Sequence, residues 1–164
     1  MQAQPQNQTQ SQVQPNAEQT LYRFYARNKV GCESTHAEGE RVIAYLRRNG
    51  HAEVESPAAA DYLVVNTCAF TESHRERLVG ALTDLTAEAP RAQLVILGCA
   101  GLIAPGILRG FPTAIVCGHR DLSRLDAIFA RTVRFRDSAS CELSPAFNRV
   151  VVSIGRGCAS QCSR

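Results

Sequence analysis

The sequence predicts an α/β fold: an open, mostly parallel sheet with helices on both faces, preceded by a disordered N-terminal tail. Short apolar runs recur along the chain, and Leu63-Val64-Val65 and Leu94-Val95-Ile96-Leu97 are the clearest. Each is apolar at consecutive positions and too short for a helix, as expected of strands buried on both faces. Segments with helical periodicity separate these runs, and such alternation implies parallel strands joined by right-handed crossovers. Three of the strands also end in the same way, on Gly31-Cys32, Asn66-Thr67-Cys68 and Gly98-Cys99. A parallel sheet would gather those thiols along its carboxyl edge, where open α/β sheets bind ligands.

Residues 1–20 are rich in Gln, Asn, Pro and Ser and lack the apolar side chains that offset ordering entropy, so they read as a disordered tail. Leu21 to Ala26 reads as the first strand. Thr35 to Arg48 reads as a helix with Val42, Ile43, Tyr45 and Leu46 inward, ended by Gly50. Ala52 to Val54 is a weak strand, and Ser56-Pro57 turns the chain into the strand before Cys68. Thr71-Glu72-Ser73 starts a helix that carries Leu78, Val79, Leu82 and Leu85 at helical spacing and closes at Pro90. Leu94 to Leu97 is the next strand, followed by a segment from Ile103 to Leu108 broken at Pro105 and Gly106, then a strand from Ala114 to Val116. Asp121 to Thr132 reads as an amphipathic helix with Leu122, Leu125, Ile128 and Phe129 inward. The whole of 21–136 is then one doubly wound domain, Rossmann- or flavodoxin-like. A linker over 137–148 leads to a new strand, Arg149 to Ile154, and to Gly157-Cys158-Ala159-Ser160-Gln161-Cys162.

The chain has 164 residues, 45% of them hydrophobic, enough for one core, and no apolar run approaches a membrane span. No basic segment followed by an apolar core opens the sequence, so no signal peptide is expected and the cytoplasm is the default compartment. Seven cysteines in a reducing compartment point to metal or redox chemistry rather than disulfides. The net charge of +3 is too small to argue for nucleic-acid binding. The late arginines, Arg131, Arg134, Arg136, Arg149, Arg156 and Arg164, read as a solvated surface before a phosphate-binding patch.

Thiolates are soft ligands that select iron–sulfur clusters, zinc or copper(I). Gly31, Asn66-Thr67 and Gly98 beside the strand-end cysteines leave room for backbone N–H groups to reach cluster sulfurs. The competing reading is three buried cysteines packing as small hydrophobes. Cys117 follows the Ile115-Val116 run as either a fourth ligand or, in preference, a core residue, and Cys141 has no partner motif. His36, His51, His74 and His119 lack metal-ligand spacing and read as surface or capping residues.

A strand leading into Gly157-Cys158-x-x-x-Cys162 resembles the opening of the CxxxCxxC loop of radical S-adenosylmethionine enzymes. Taken with Gly31-Cys32, Asn66-Thr67-Cys68-Ala69-Phe70 and Gly98-Cys99 in that order, the chain resembles the N-terminal part of a methylthiotransferase from about Phe24 to Arg164. Members of that family place a methylthio group on tRNA bases or on a ribosomal-protein aspartate. The resemblance implies that Cys32, Cys68 and Cys99 hold an auxiliary 4Fe-4S cluster. It implies that Cys158 and Cys162 are two of three ligands of a second 4Fe-4S cluster, which binds S-adenosylmethionine. Glu38 and Glu40 fall where the family's first motif is acidic, and Thr35 stands where the family usually has asparagine. Phe70 with Glu72-Ser73 leans toward the ribosomal-protein branch.

The third cysteine of the radical motif would fall immediately after Arg164, so the expectation is the start of a radical domain at 149–164 and no catalysis by this chain alone. The alternative is a stand-alone iron–sulfur or metal-binding module without catalysis.

Overall fold

A computed structural model describes residues 20–28, 33–119 and 121–138. The expected tail, the later part of the linker and the segment from Arg149 onward lie outside the described residues, as do Cys32, Cys141, Cys158 and Cys162.

Five strands form one sheet: β1 (Arg23–Arg27), β2 (Ala52–Glu53), β3 (Tyr62–Thr67), β4 (Gln93–Gly98) and β5 (Ile115–Cys117). Their order across the sheet is β2-β1-β3-β4-β5, and every pairing is parallel. The chain steps outward from β1 to β2, returns to the other side of β1 as β3, and continues through β4 to β5. Strand order therefore reverses between β1 and β3, which makes the carboxyl edge there a topological switch point.

The crossovers are α1 (Glu33–Arg48) and α2 (Glu72–Glu88), with the short helices α3 (Ala100–Ile103) and α4 (Asp126–Phe129) later in the chain. Side chains alternate across each strand, so the sheet carries two apolar layers. Phe24, Val64, Val95 and Leu97 pack with Val42, Tyr45 and Leu46 of α1 and with Phe129. On the opposite face, Leu63, Val65, Leu94 and Ile96 pack with Leu78, Leu82 and Leu85 of α2. Helices cover both faces, as expected from the sequence.

Local chemistry accounts for the element ends. The Gly50 N–H donates to Arg47 O at 2.9 Å and the His51 N–H to Leu46 O at 3.1 Å, closing α1 in a Schellman turn. Gly50 holds φ +82° there, a conformation that favours glycine. Thr71 caps α2, its Oγ1 accepting from the His74 N–H at 3.2 Å.

Polar ties fasten the later chain against α1. Asn49 Oδ1 accepts from the N–H groups of Arg131, Thr132 and Val133 at 2.7, 2.9 and 3.1 Å. The Tyr45 hydroxyl donates to Asp126 Oδ1 at 2.8 Å.

Two expectations need correction. The span 121–132 is not one helix: a 3-10 turn over Leu122–Leu125 precedes α4, whose last N–H bond is made by Ala130, and Asn49 binds the chain that follows. Leu122, Leu125 and Phe129 still face the core. On α2, Leu78, Leu82 and Leu85 are buried against the sheet and Val79 is 37% exposed. Residues 137 and 138 belong to a 3-10 turn, Phe135–Ser138, that packs Phe135 against Tyr45, so the first part of the expected linker is structured. Among the described residues, no helix is long and apolar enough to cross a membrane.

Candidate metal centre

The sheet brings Cys68 and Cys99 together. β3 and β4 are paired neighbours with Thr67 opposite Gly98, so the next residue of each strand leaves the carboxyl edge beside its counterpart. Cys68 is 3% exposed and Cys99 half-buried, and both are free thiols. The Ala69 N–H donates to Cys99 Sγ at 3.1 Å, and the Cys99 thiol in turn faces Thr67 O at 3.7 Å. Burial pushes the Cys99 thiol above its ordinary value. The Ala69 N–H opposes that shift, and the neighbouring Cys68 adds to it.

Gly98 makes this approach possible. Its φ is +89°, and a Cβ there would collide with Thr67 O and lie 3.0 Å from Asn66 Oδ1. No other residue type would let β4 turn its cysteine over the end of β3.

A polar cluster occupies the switch point beside the thiols. Asn66, 3% exposed, donates through Nδ2 to Asn28 Oδ1 at 2.7 Å and to Thr35 O. Asn28 donates through its own Nδ2 to His36 O at 2.9 Å and Glu40 Oε1 at 2.8 Å, while the His36 Nδ1–H donates to Asn28 O at 2.6 Å. Gly39 leaves space for this cluster, since a Cβ there would run into the Asn28 amide. Asn28 and Thr35 stand on either side of Cys32 in sequence, and Asn66 stands two residues before Cys68. Thr35 makes its bond through the backbone carbonyl, so this contact does not depend on its side chain. Glu38, the other acid of the first motif, pairs with His119 at the end of β5.

Cys117 is separate from the pair. It is the last residue of β5 rather than the residue after a strand, and it is fully buried among Val95, Leu97 and Leu122. Burial pushes its thiol up as well.

His74 is the residue the sequence reading missed. Its Nδ1 lies 3.7 Å from Cys68 Sγ, and its ring is half-buried. The Thr71 cap places His74 at the third position of α2, and Arg75 Nε donates to Ala69 O at 3.1 Å, which folds the 68–75 segment back on itself. The clue in sequence was the cap: a Thr71 start puts residue 74 in the first turn of α2, within reach of the strand end six residues earlier.

The described residues fit an iron–sulfur cluster in part. Cys68 and Cys99 offer two soft donor atoms at one edge, with a backbone N–H on one sulfur. The buried Asn66 Oδ1 faces Gly98 without a hydrogen-bond partner among the described residues. Among those residues no group of three or more His, Cys, Asp or Glu is placed to hold a metal ion, and Cys32 lies outside them.

Comparison with known proteins gives one family match, over residues 24–118, to the family described as "Uncharacterized protein family UPF0004". The curated relatives include a ribosomal protein uS12 methylthiotransferase RimO of Nostoc sp., 35% identical over 104 residues, which are 62% of this chain and 23% of the relative. A protein of the same name from Methylobacillus flagellatus is 28% identical over 142 residues, 82% of this chain and 32% of the relative. A tRNA-2-methylthio-N(6)-dimethylallyladenosine synthase of Rhodopirellula baltica is 36% identical over 73 residues, 43% of this chain and 15% of the relative. The matches thus span between 15% and 32% of these relatives' lengths.

Proposed function

The chain belongs to the UPF0004 family, the N-terminal domain of the methylthiotransferases, and on that premise we propose that it is the sulfur-handling part of such an enzyme. In this reading Cys32, Cys68 and Cys99 hold an auxiliary 4Fe-4S cluster through their thiolates. When bound, the cluster supplies an iron position that presents sulfur to the acceptor, chemistry that belongs to the cofactor.

The protein's own contribution is placement. Gly98 turns Cys99 over the end of β3, the Ala69 N–H orients its sulfur, and burial of Cys68 keeps water from that ligand. The Asn66 clasp draws together the residues that flank Cys32. Cys158 and Cys162 are, by resemblance, two ligands of a second 4Fe-4S cluster that binds S-adenosylmethionine. The acceptor class is the one named for the relatives, ribosomal protein uS12 or tRNA, and its modification is an activity of the longer enzyme. Free thiols at Cys68, Cys99 and Cys117 suit the reducing cytoplasm.

The observation that supports this reading most is the pairing of Thr67 with Gly98, which sets Cys68 and Cys99 side by side at the carboxyl edge next to the switch point. Anaerobic reconstitution with iron and sulfide tests it. About four irons per chain and brown absorbance are expected, as for a 4Fe-4S cluster. Cys32→Ala, Cys68→Ala or Cys99→Ala should each abolish most of the colour. Colourless protein, or colour indifferent to all three substitutions, would overturn the assignment.

A further inference from the structure

From the contact between Cys68 Sγ and His74 Nδ1 at 3.7 Å, we infer that His74 is a positioning residue for the cluster, donating a hydrogen bond to the iron-bound sulfur of Cys68 and raising the reduction potential. The inference rests on the cluster reading above.

A free cysteine and a neutral imidazole can share their proton either way. A cysteine bound to iron cannot, because it coordinates as a thiolate and keeps no proton. The contact then survives only with the proton on Nδ1 of His74, donated toward sulfur. The distance is long for oxygen and ordinary for the larger sulfur atom.

Such bonds draw electron density from the ligand and stabilise the reduced, more negative cluster, so they raise its potential. The half-buried setting strengthens the effect, since a polar bond counts for more away from bulk water. The two described ligands would then receive one donor each, a backbone N–H from Ala69 on Cys99 and the side chain of His74 on Cys68. The first is built into the fold, whereas the second depends on the residue at position 74.

His74 is also separable from folding. Its role in the helix cap is played by its backbone N–H, which bonds Thr71 Oγ1 whatever side chain it carries. His74→Phe keeps a planar ring and removes the donor. His74→Asn restores an N–H near the position of Nδ1.

The test is a dye-mediated redox titration of the anaerobically reconstituted chain, followed by visible absorbance, with iron content measured in parallel. His74→Phe should bind as much iron as the unsubstituted chain and titrate at a more negative potential. At the original midpoint its ratio of reduced to oxidised cluster should fall several-fold, and His74→Asn should recover part of that loss. Equal midpoints for all three proteins would overturn the inference while leaving the cluster assignment standing. Loss of iron from His74→Phe would also overturn it, by making His74 a ligand. If the unsubstituted chain binds no iron, the cluster reading itself fails.

Discussion

Asn66 Nδ2 donates a 2.7 Å hydrogen bond to Asn28 Oδ1, tying the carboxyl end of β3 to the residue just after β1. The same Nδ2 also bonds Thr35 O, so two stretches of chain on either side of Cys32 meet on one buried amide. Asn66→Ala would leave the Asn28 and Thr35 oxygens short of a donor, a loss of roughly 1–3 kcal/mol. Urea denaturation should show that loss, and reconstituted protein should retain less iron than the unsubstituted chain. Unchanged stability and iron content would make the clasp dispensable.

Gly98 and Gly80 should respond to alanine in opposite directions. At Gly98, φ +89° and the approach of Thr67 O leave no place for a Cβ. The left-handed backbone alone costs about 1–2 kcal/mol for an L-residue, and the collision adds to it. Gly80 lies within α2 with no heavy atom within 4 Å of where a methyl group would stand, so alanine there should stabilise by roughly 0.5–1 kcal/mol. Denaturant midpoints of the two variants check the contrast.

Stability should fall in mild acid because of His51. The Tyr22 N–H donates to its Nδ1 at 3.2 Å, which leaves the ring proton on Nε2, donated to Phe129 O at 2.8 Å. Burial lowers the His51 value below 6.5, with the Phe129 bond opposing and Arg131 reinforcing the shift. Below pH about 6.5 the unfolded chain then binds a proton that the folded chain refuses, so the contribution is present above that pH and is lost as pH falls toward the depressed folded value. Unfolding free energy measured against pH should show this slope, and His51→Gln should flatten it.

Cys117 should behave as core and not as ligand. Cys117→Ala removes one buried sulfur from the layer between the sheet and α1 and should cost about 1 kcal/mol. Iron content and absorbance after reconstitution should be unchanged, in contrast to Cys68→Ala. Loss of iron in the Cys117 variant would bring it into the cluster site.

Alkylation of cluster-free protein should separate folded from unfolded cysteines. Burial raises both the Cys99 and Cys117 thiols, and only the thiolate reacts. Iodoacetamide at neutral pH should therefore label these two much more slowly in the folded chain than in urea, as read by peptide mass analysis. Equal rates would contradict their burial.

Much of the fold was legible because it depends on short-range pattern. The runs over 63–65 and 94–97 read as buried strands from their shortness and β-branched content, and Thr71 and Gly50 marked helix ends through their own backbone preferences. The family match over 24–118 likewise agrees with a resemblance carried by glycine, asparagine and cysteine at strand ends. Periodicity was less reliable in the last covering segment. Leu122, Leu125 and Phe129 face inward as their spacing suggested, but the long-range tie from Asn49 to residues 131–133 holds the chain out of the helix that the same spacing implied.

The sequence by itself determined that there would be a parallel sheet and that Cys68 and Cys99 would follow two of its strands, since both follow from neighbours within a few residues. Only the tertiary structure decided which groups meet at that edge. Register sets Thr67 against Gly98 and so Cys68 beside Cys99, burial withdraws Cys117 into the core, and the fold-back of the 68–75 segment brings His74 to Cys68. Those relations depend on strand pairing and packing between segments far apart in the chain, which local propensity does not encode.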